Sequence, residues 1–407
     1  MSAAPAARID VLTALDWQRF ADEYWDRRPV LIRGLAPADA PFDPNEVFES
    51  AVVAAQRPPA RERIRLTVGT RLLTDPGDLL PGPEDGTFSG YDRRTLRQLA
   101  DDPFALVVRD LHAGHHPLWV RERDFLAGLW DRVGQPLAGV STTLHHGTCE
   151  PVPESEPTPS ADGAPAYGAT FLYTVRGQRG LRLDSGGPGR RTSVETVPGD
   201  LLYRPPGFRH TVEPHTVEPR TAPASVVRIG IPRSPLRPGA ELHSLLAPGP
   251  NPVSPQAGWG GDDILVPDGG DGRSRDLPAT LPPVLAAALD HFKQAARPAA
   301  LERRVAREAL RQATDGGLRP VPPPARPGYF TDDDAVRATE RVLWAEVGGR
   351  RLVAACGHVL ETDLSAPELS AVIGLLNAGH PVQVGELAPP ARTLMSRLAG
   401  FRSVERL

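Results

Sequence analysis

Between Pro198 and His210 the chain reads Pro198-Gly199-Asp200-Leu201-Leu202-Tyr203-Arg204-Pro205-Pro206-Gly207-Phe208-Arg209-His210. The stretch reads as strand, tight turn, strand, with one histidine on the second strand. Glycine accepts the positive φ of a tight turn and aspartate bonds nearby backbone, so Gly199-Asp200 predicts a hairpin turn, with Asp200 a turn residue first. Leu201, Leu202 and Tyr203 form the strand. Pro205-Pro206-Gly207 turns the chain again and delivers His210 at a fixed distance from both turns.

This segment lies within a β-rich stretch. Candidate strands are 139–146, 169–176, 180–184, 193–197, 200–204, 209–213 and 225–231, separated by turn residues at barrel-like intervals. Before them, 12–28 has apolar residues near helical spacing, with Thr13 or Asp16 as a cap and Pro29 as a stop. Val30-Leu31-Ile32, Ile64–Val68 and Ala105–Val108 read as strands, and Asp124–Val133 as a short helix. Segment 149–165, rich in Pro, Glu and Ser, predicts a mobile loop, and 233–282 a long linker. Residues 283–315 read as helix, with an interruption near Pro298. The end of the chain runs strand (341–346), strand (351–356), helix (366–378), extended piece (380–383) and helix (388–399). That unit looks like a winged helix. A packing or dimerisation role suits it better than DNA binding, because it has no basic recognition helix.

Length and composition bound the rest. A chain of 407 residues predicts two or three domains, divided here as 1–232, 233–329 and 330–407. Hydrophobic content of 40% and charge of 24% are ordinary for a globular protein. A net charge of −4 gives no electrostatic case for nucleic acid or an anionic membrane. Lys293 is the sole lysine among 46 basic residues, a coding bias typical of GC-rich bacterial genomes. Cys149 and Cys356 are too far apart to suggest a metal finger or disulfide framework. With no leader-like or membrane-spanning run, a cytoplasmic location is expected.

The spacing from Gly199 to His210 matches the second cupin motif, G-x5-P-x-G-x2-H, whose histidine usually points into a small barrel and binds a metal. Phe20–Gly34, with its helix ending in Tyr24-Trp25, a basic pair, Pro29 and an apolar strand, resembles the opening of the JmjC-type cupin oxygenases, notably the bacterial ribosomal oxygenases. Ala105–Asp110 resembles the strand before their barrel. Arg176-Gly177-Gln178-Arg179-Gly180-Leu181-Arg182-Leu183 resembles their Gly-Arg-Lys/Arg-x-Trp-x-Leu strand, with Leu181 in place of Trp. The resemblance covers roughly 12–232. It implies an α+β fold built on a double-stranded β-helix (cupin, jelly-roll) barrel with flanking helices and a winged-helix-like C-terminal module. It also implies an Fe(II)- and 2-oxoglutarate-dependent oxygenase hydroxylating a peptide or protein side chain, and a homodimer made through the helical region.

By that resemblance His210 is the distal iron ligand and Arg179 pairs with the 2-oxoglutarate carboxylate, a task suited to a guanidinium fork. The other two iron ligands form a His-x-Asp pair. Here Ala166 and Gly168 stand at those positions, and neither has a donor atom. A second set is offered by Leu144-His145-His146-Gly147-Thr148-Cys149-Glu150. His146 precedes His210 by 64 residues, about the family's separation of first and last ligands. His145 and His146 point to opposite faces, so at most one looks into the barrel. His146, Glu150 and His210 would make two histidines and one carboxylate, a facial set suited to iron. Three functions stay open: the oxygenase, a catalytically degenerate cupin binding a ligand or supporting a biosynthetic partner enzyme, and a metal-dependent cupin with atypical ligands. His112, His115 and His116 are expected in a connecting loop, His215 in solvent, and His358 and His380 in structural roles. Cys149 alone is a weak sign of a reactive thiol.

Overall fold

The computed structural model describes residues 9–56, 63–136, 139–149, 168–184, 191–212, 222–232, 293 and 297–407. The architecture is mixed α+β. In chain order the first part runs β1 (Asp10–Leu12), α1 (Trp17–Glu23), β2 (Val30–Ile32), α2 (Pro44–Gln56), β3 (Ile64–Val68), β4 (Arg71–Leu72), α3 (Phe88–Gln98), β5 (Phe104–Arg109) and α4 (His116–Val133). The strands β6 (Ser141–Gly147), β7 (Ala169–Arg176), β8 (Arg179–Asp184), β9 (Arg191–Thr196), β10 (Leu201–Arg204), β11 (Arg209–Val212) and β12 (Ala224–Ile231) follow.

Nine strands form one sheet in the order β1-β2-β10-β7-β12-β6-β5-β3-β4, and β11-β8-β9 form a second. Side chains alternate along each strand, so the large sheet has two faces of different character. One packs Val30, Ile32, Leu66, Phe104, Leu106, Val108, Leu144, Phe171, Tyr203, Val227 and Ile229 against helix residues Phe20, Phe48, Phe88, Trp119 and Leu126. Fully burying each of these large side chains contributes roughly 1.5–3 kcal/mol. The other face meets the small sheet through Leu31, Leu172, Leu202 and Val226 against Leu181 and Leu183.

Several expected elements take a different form. The Gly199-Asp200 turn is tight, with Gly199 at φ +89°, but it does not join neighbouring strands. β9 pairs with β8 in the small sheet, whereas β10 pairs with β2 and β7 in the large one. The turn at Pro205-Pro206-Gly207 crosses back, because β11 pairs with β8. Both turns therefore switch sheets. Asp200 fixes the first: its carboxylate accepts from the backbone N–H groups of Gly34 (3.0 Å) and Val197 (3.0 Å) and pairs with Arg33 at 2.5 Å. This ties β2 to the β9–β10 connection.

α1 is shorter than the apolar spacing predicts and starts after Asp16, whose side chain caps Gln18 and Arg19. α4 is longer. It begins at His116 rather than Asp124, because His115 caps it by accepting from the Leu118 N–H and Pro117 fits its first turn. His115 and His116 thus open a helix, and His112 lies in the short 3-10 turn before it. Two further helices cover the sheet: α2, which buries Val47, Phe48, Ala51 and Val52, and α3, whose hydrophilic sequence concealed it.

Later come α5 (Pro298–Asp315), β13 (Ala335–Ala338), β14 (Leu343–Val347), β15 (Arg350–Ala355), β16 (His358–Thr362), α6 (Ala366–Asn377), β17 (Val382–Gln383), α7 (Pro389–Gly400) and β18 (Val404–Arg406). Pro298 starts α5 instead of interrupting it; most of 283–296 lies outside the described residues. The terminal unit holds two three-stranded sheets, β17-β13-β18 and β14-β15-β16. Its own core includes Val336, Val353, Leu369, Ile373, Leu394, Met395 and Leu398. The capping box of Ser365 and Glu368 starts α6. The N-terminal core nevertheless takes in Leu318 and Cys356. Trp130 donates to the Gly316 carbonyl at 2.8 Å, Val140 bridges to Leu318, and Arg123 pairs with Glu340 at 2.8 Å. No helix among the described residues is long and apolar enough to cross a membrane.

Candidate functional site

The face of the large sheet that looks toward the small sheet can be traced residue by residue from the strand register. Val226 stands opposite His145 and Thr174, and Arg228 opposite Thr143 and Leu172. His145 in turn opposes Val107, and Thr143 opposes Arg109. Directly opposed residues share a face, so His145 and Arg228 lie on the same side as Val226 of the inter-sheet layer. On the small sheet, Arg179 shares the parity of Leu181 and Leu183. The turn that launches it is tight: Gly177 has φ +75°, and a Cβ there would sit 2.8 Å from that of Ala224. Arg179 is buried, and the Arg179 and Arg228 guanidiniums lie near enough to His145 to depress its pKa. Burial is the larger cause, and together they bring His145 down to about 3. At neutral pH His145 is therefore an uncharged imidazole flanked by two fixed cations.

Arg204 joins this face from β10, donating to Thr170 at 3.1 Å across the β10–β7 pair. His210 lies in β11 with its backbone paired opposite Leu183, a register position of the same layer. Arg179 and the His210 position thus belong to one inter-sheet layer, together with two residues the sequence reading did not single out in these roles, His145 and Arg228. The signal for both was alternation: Thr143-x-His145 and Val226-x-Arg228 each put polar groups on the face away from the helix-covered core.

His146 is directed the other way. Its ring is buried on the helix-covered face, stacked on Phe88 with centroids 4.7 Å apart and close to Tyr91 and Phe104. Both ring nitrogens are engaged, Nδ1 with Ser225 Oγ at 2.8 Å and Nε2 with Asp92 Oδ1 at 2.8 Å. Asp92, on α3, also pairs with Arg176. Burial lowers the His146 pKa, and the Asp92 hydrogen bond opposes that shift. The trio Ser225, His146, Asp92 has the composition of a nucleophilic triad, but Ser225 is 0% exposed and no substrate can reach it. The network instead pins α3 to β6, β7 and β12.

The residues present do not fit the iron centre that the sequence resemblance implies. Gly168 is buried and has no side-chain donor. His146 has both nitrogens committed on the wrong side of the sheet. Glu150 and Ala166 lie outside the described residues, and among those described no three His, Cys, Asp or Glu groups converge to hold a metal.

Other polar groups are built into the scaffold. His112, Thr142 and Glu122 form a fully buried cluster, with His112 Nδ1 2.9 Å from Thr142 Oγ1. His358 Nε2 bonds the Pro322 carbonyl at 3.1 Å and stacks on Phe401, whereas His380 is exposed. Cys149 is half-buried at the end of β6, its N–H donating to the Phe104 carbonyl, and buried Cys356 has its thiol pushed up to about 12. His215 lies outside the described residues. A separate cleft of 740 Å³ runs between α1 and α4, lined by Trp17, His116, Arg121 and Phe125. Arg121 there is bound bidentately to Glu46 of α2, a tie between helices.

No protein-family model matches the chain, and no curated protein does. Solved structures do. Escherichia coli YcfD, a ribosomal oxygenase, has a TM-score of 0.46 at 18% identity, over 98% of this chain and 99% of that one. The same protein in complex with cobalt and 2-oxoglutarate has a TM-score of 0.44 at 17% identity, over 97% and 99%. An oxidoreductase of the 2OG-Fe(II) oxygenase family from Burkholderia pseudomallei has a TM-score of 0.30 at 11% identity, over 55% and 94%. The chain is similar to these proteins.

Proposed function

We propose that the two facing sheets form a double-stranded β-helix that binds a carboxylate-bearing ligand between them, and that the chain is an oxygenase-like cupin acting as a binding or accessory protein. The observation that carries this reading is the convergence of Arg179, Arg228 and neutral His145 on the inter-sheet layer while His146 serves the scaffold. A guanidinium fork matches a carboxylate in geometry as well as charge, and each charge-assisted bond contributes about 1.5–3 kcal/mol. The uncharged imidazole adds a hydrogen bond without competing for the anion. Arg179, read from the sequence as the partner of a 2-oxoglutarate carboxylate, suits 2-oxoglutarate or a related diacid.

One feature favours a second reading, Fe(II)- and 2-oxoglutarate-dependent hydroxylation of a peptide or protein side chain. His210 occupies a register position of the same layer, at the spacing of the second cupin motif.

Metal analysis separates the two. Protein purified anaerobically with Fe(II) is expected to hold well under one iron per chain, yet to bind 2-oxoglutarate or succinate in calorimetry. Arg179→Gln and Arg228→Gln should each weaken that binding about tenfold. Stoichiometric iron that disappears in His210→Ala, with succinate released from 2-oxoglutarate, would establish the oxygenase instead. Diacid binding unaffected by either arginine variant overturns the binding reading.

A further inference from the structure

The cleft between α1 and α4 lies over the helix-covered face of the large sheet, away from the inter-sheet layer. Its 740 Å³ falls within the range of small-ligand pockets. Trp17, Phe125, Leu15 and Val120 line it beside the carboxylates of Asp39 and Asp124. Trp17 and Phe125 form a corner, their ring centroids 5.0 Å apart and their planes at 67°. Phe171, from the sheet, meets both rings edge-on at 6.3 Å and 6.2 Å, and Phe20 meets Trp17 at 5.6 Å. The core therefore holds the corner in place before any ligand arrives.

Gly128 shows that the position of the indole is built into the chain. It lies inside α4, where glycine is less favourable than alanine. A Cβ there would collide with Cδ1 and Nε1 of Trp17. The helix gives up propensity to seat the ring.

Charge selects among ligands. Both cationic residue types at the cleft are accounted for: Arg121 is bound bidentately by Glu46, and His116, brought down to about 4 mainly by burial, is uncharged at neutral pH. Asp124 shares Arg123 with Glu340. Asp39 is exposed, and its carboxylate has no hydrogen bond or ion pair among the described residues. The two helix starts nearby are capped, α1 by the Asp16 carboxylate and α4 by His115, which engages N–H groups that an anion would seek. What remains is negative charge beside two aromatic rings, a setting in which an organic cation gains from both. Leu15 and Val120 suit a hydrocarbon stem.

We propose that this cleft binds an arylalkylammonium ion, its charge held by Asp39 and the Trp17–Phe125 corner. The site shares no residue with the anion position at Arg179 and Arg228. The test is a fluorine NMR titration of the full chain with para-fluorophenethylammonium. The controls are para-fluorophenylethanol and para-fluorophenylacetate, which keep the ring and change the charge. The ammonium is expected to bind saturably, at least about fivefold tighter than the alcohol, with the acetate weaker still. Asp39→Asn should weaken it about fivefold, and Gly128→Ala should do the same by displacing the indole. Trp17→Leu should lose more than about tenfold. The urea midpoint of Asp39→Asn should match wild type, so this variant decides the matter even if Trp17→Leu does not fold. No ammonium binding, equal or tighter binding of the alcohol or the acetate, or an Asp39→Asn variant that matches wild type overturns the proposal. Ammonium binding left intact by folded Gly128→Ala overturns the corner as its site.

Discussion

His145 and His146 are adjacent in sequence and share a strand, yet the two sides of the sheet treat them as different molecules. His146 sits in an aromatic cage with both nitrogens satisfied, one by a serine and one by an aspartate that also holds an arginine. His145 stands with Arg179 and Arg228, and no carboxylate raises its pKa. Imidazole chemistry is the same in both; the pleat decides whether it builds the scaffold or faces a ligand. A side chain's role here follows from its parity along β6 more than from its type.

That contrast can be broken most forcefully at Asp92. Asp92→Ala leaves a buried imidazole and a guanidinium without their shared partner, and should cost about 3–5 kcal/mol in urea denaturation. His146→Phe keeps the stacking on Phe88 but strands Ser225 and Asp92, for an expected loss of about 2 kcal/mol. The matching change on the other side, His145→Gln, should move stability at pH 7 by no more than about 0.5 kcal/mol. Similar losses from both histidine variants would erase the distinction.

Acid titration sharpens it. The folded His145 pKa of about 3 lies below the unfolded value near 6.5. The folded state thus binds fewer protons between these values, so stability is complete above pH 6.5 and falls as the pH drops toward 3. At pH 5 His145 accounts for up to about 2 kcal/mol of the loss. His116, held at about 4 mainly by burial, adds to the same slope. His145→Gln should flatten the urea midpoint against pH between 7 and 5; an unchanged slope would deny His145 its cationic neighbourhood. The smallest stability effect is expected at Arg228→Gln, within about 0.5 kcal/mol, alongside its tenfold loss of diacid affinity.

Strand positions were largely legible in the sequence, because alternation and turn residues are local. The candidate strands at 169–176 and 225–231 agree with β7 and β12 to within a residue. What those strands pair with was not legible. Gly199-Asp200 has the chemistry of a hairpin turn, yet the same backbone shape carries the chain from one sheet to the other, and only Gly34 and Arg33, far away in sequence, reveal this. The choice between His145 and His146 failed for a similar reason. Alternation says that they diverge, but the inward direction is set by which face Phe88 and Asp92 cover, and α3 carries few apolar residues to announce itself. Arg179 was visible through its motif, whereas Arg228 had only its parity.

The attachment of Trp130 to Gly316, and the entry of Leu318 and Cys356 into the first core, bear on how the protein comes into being. A ribosome delivers the β-rich body well before residues 316–321 emerge, so the nascent body waits with Trp130 unpaired and an apolar gap beside Val140. A nonsense codon or protease cut after residue 232 would leave a body with every strand of the two sheets but an open seam, prone to aggregation. The packing of the β-rich body is thus completed by residues that follow its last strand.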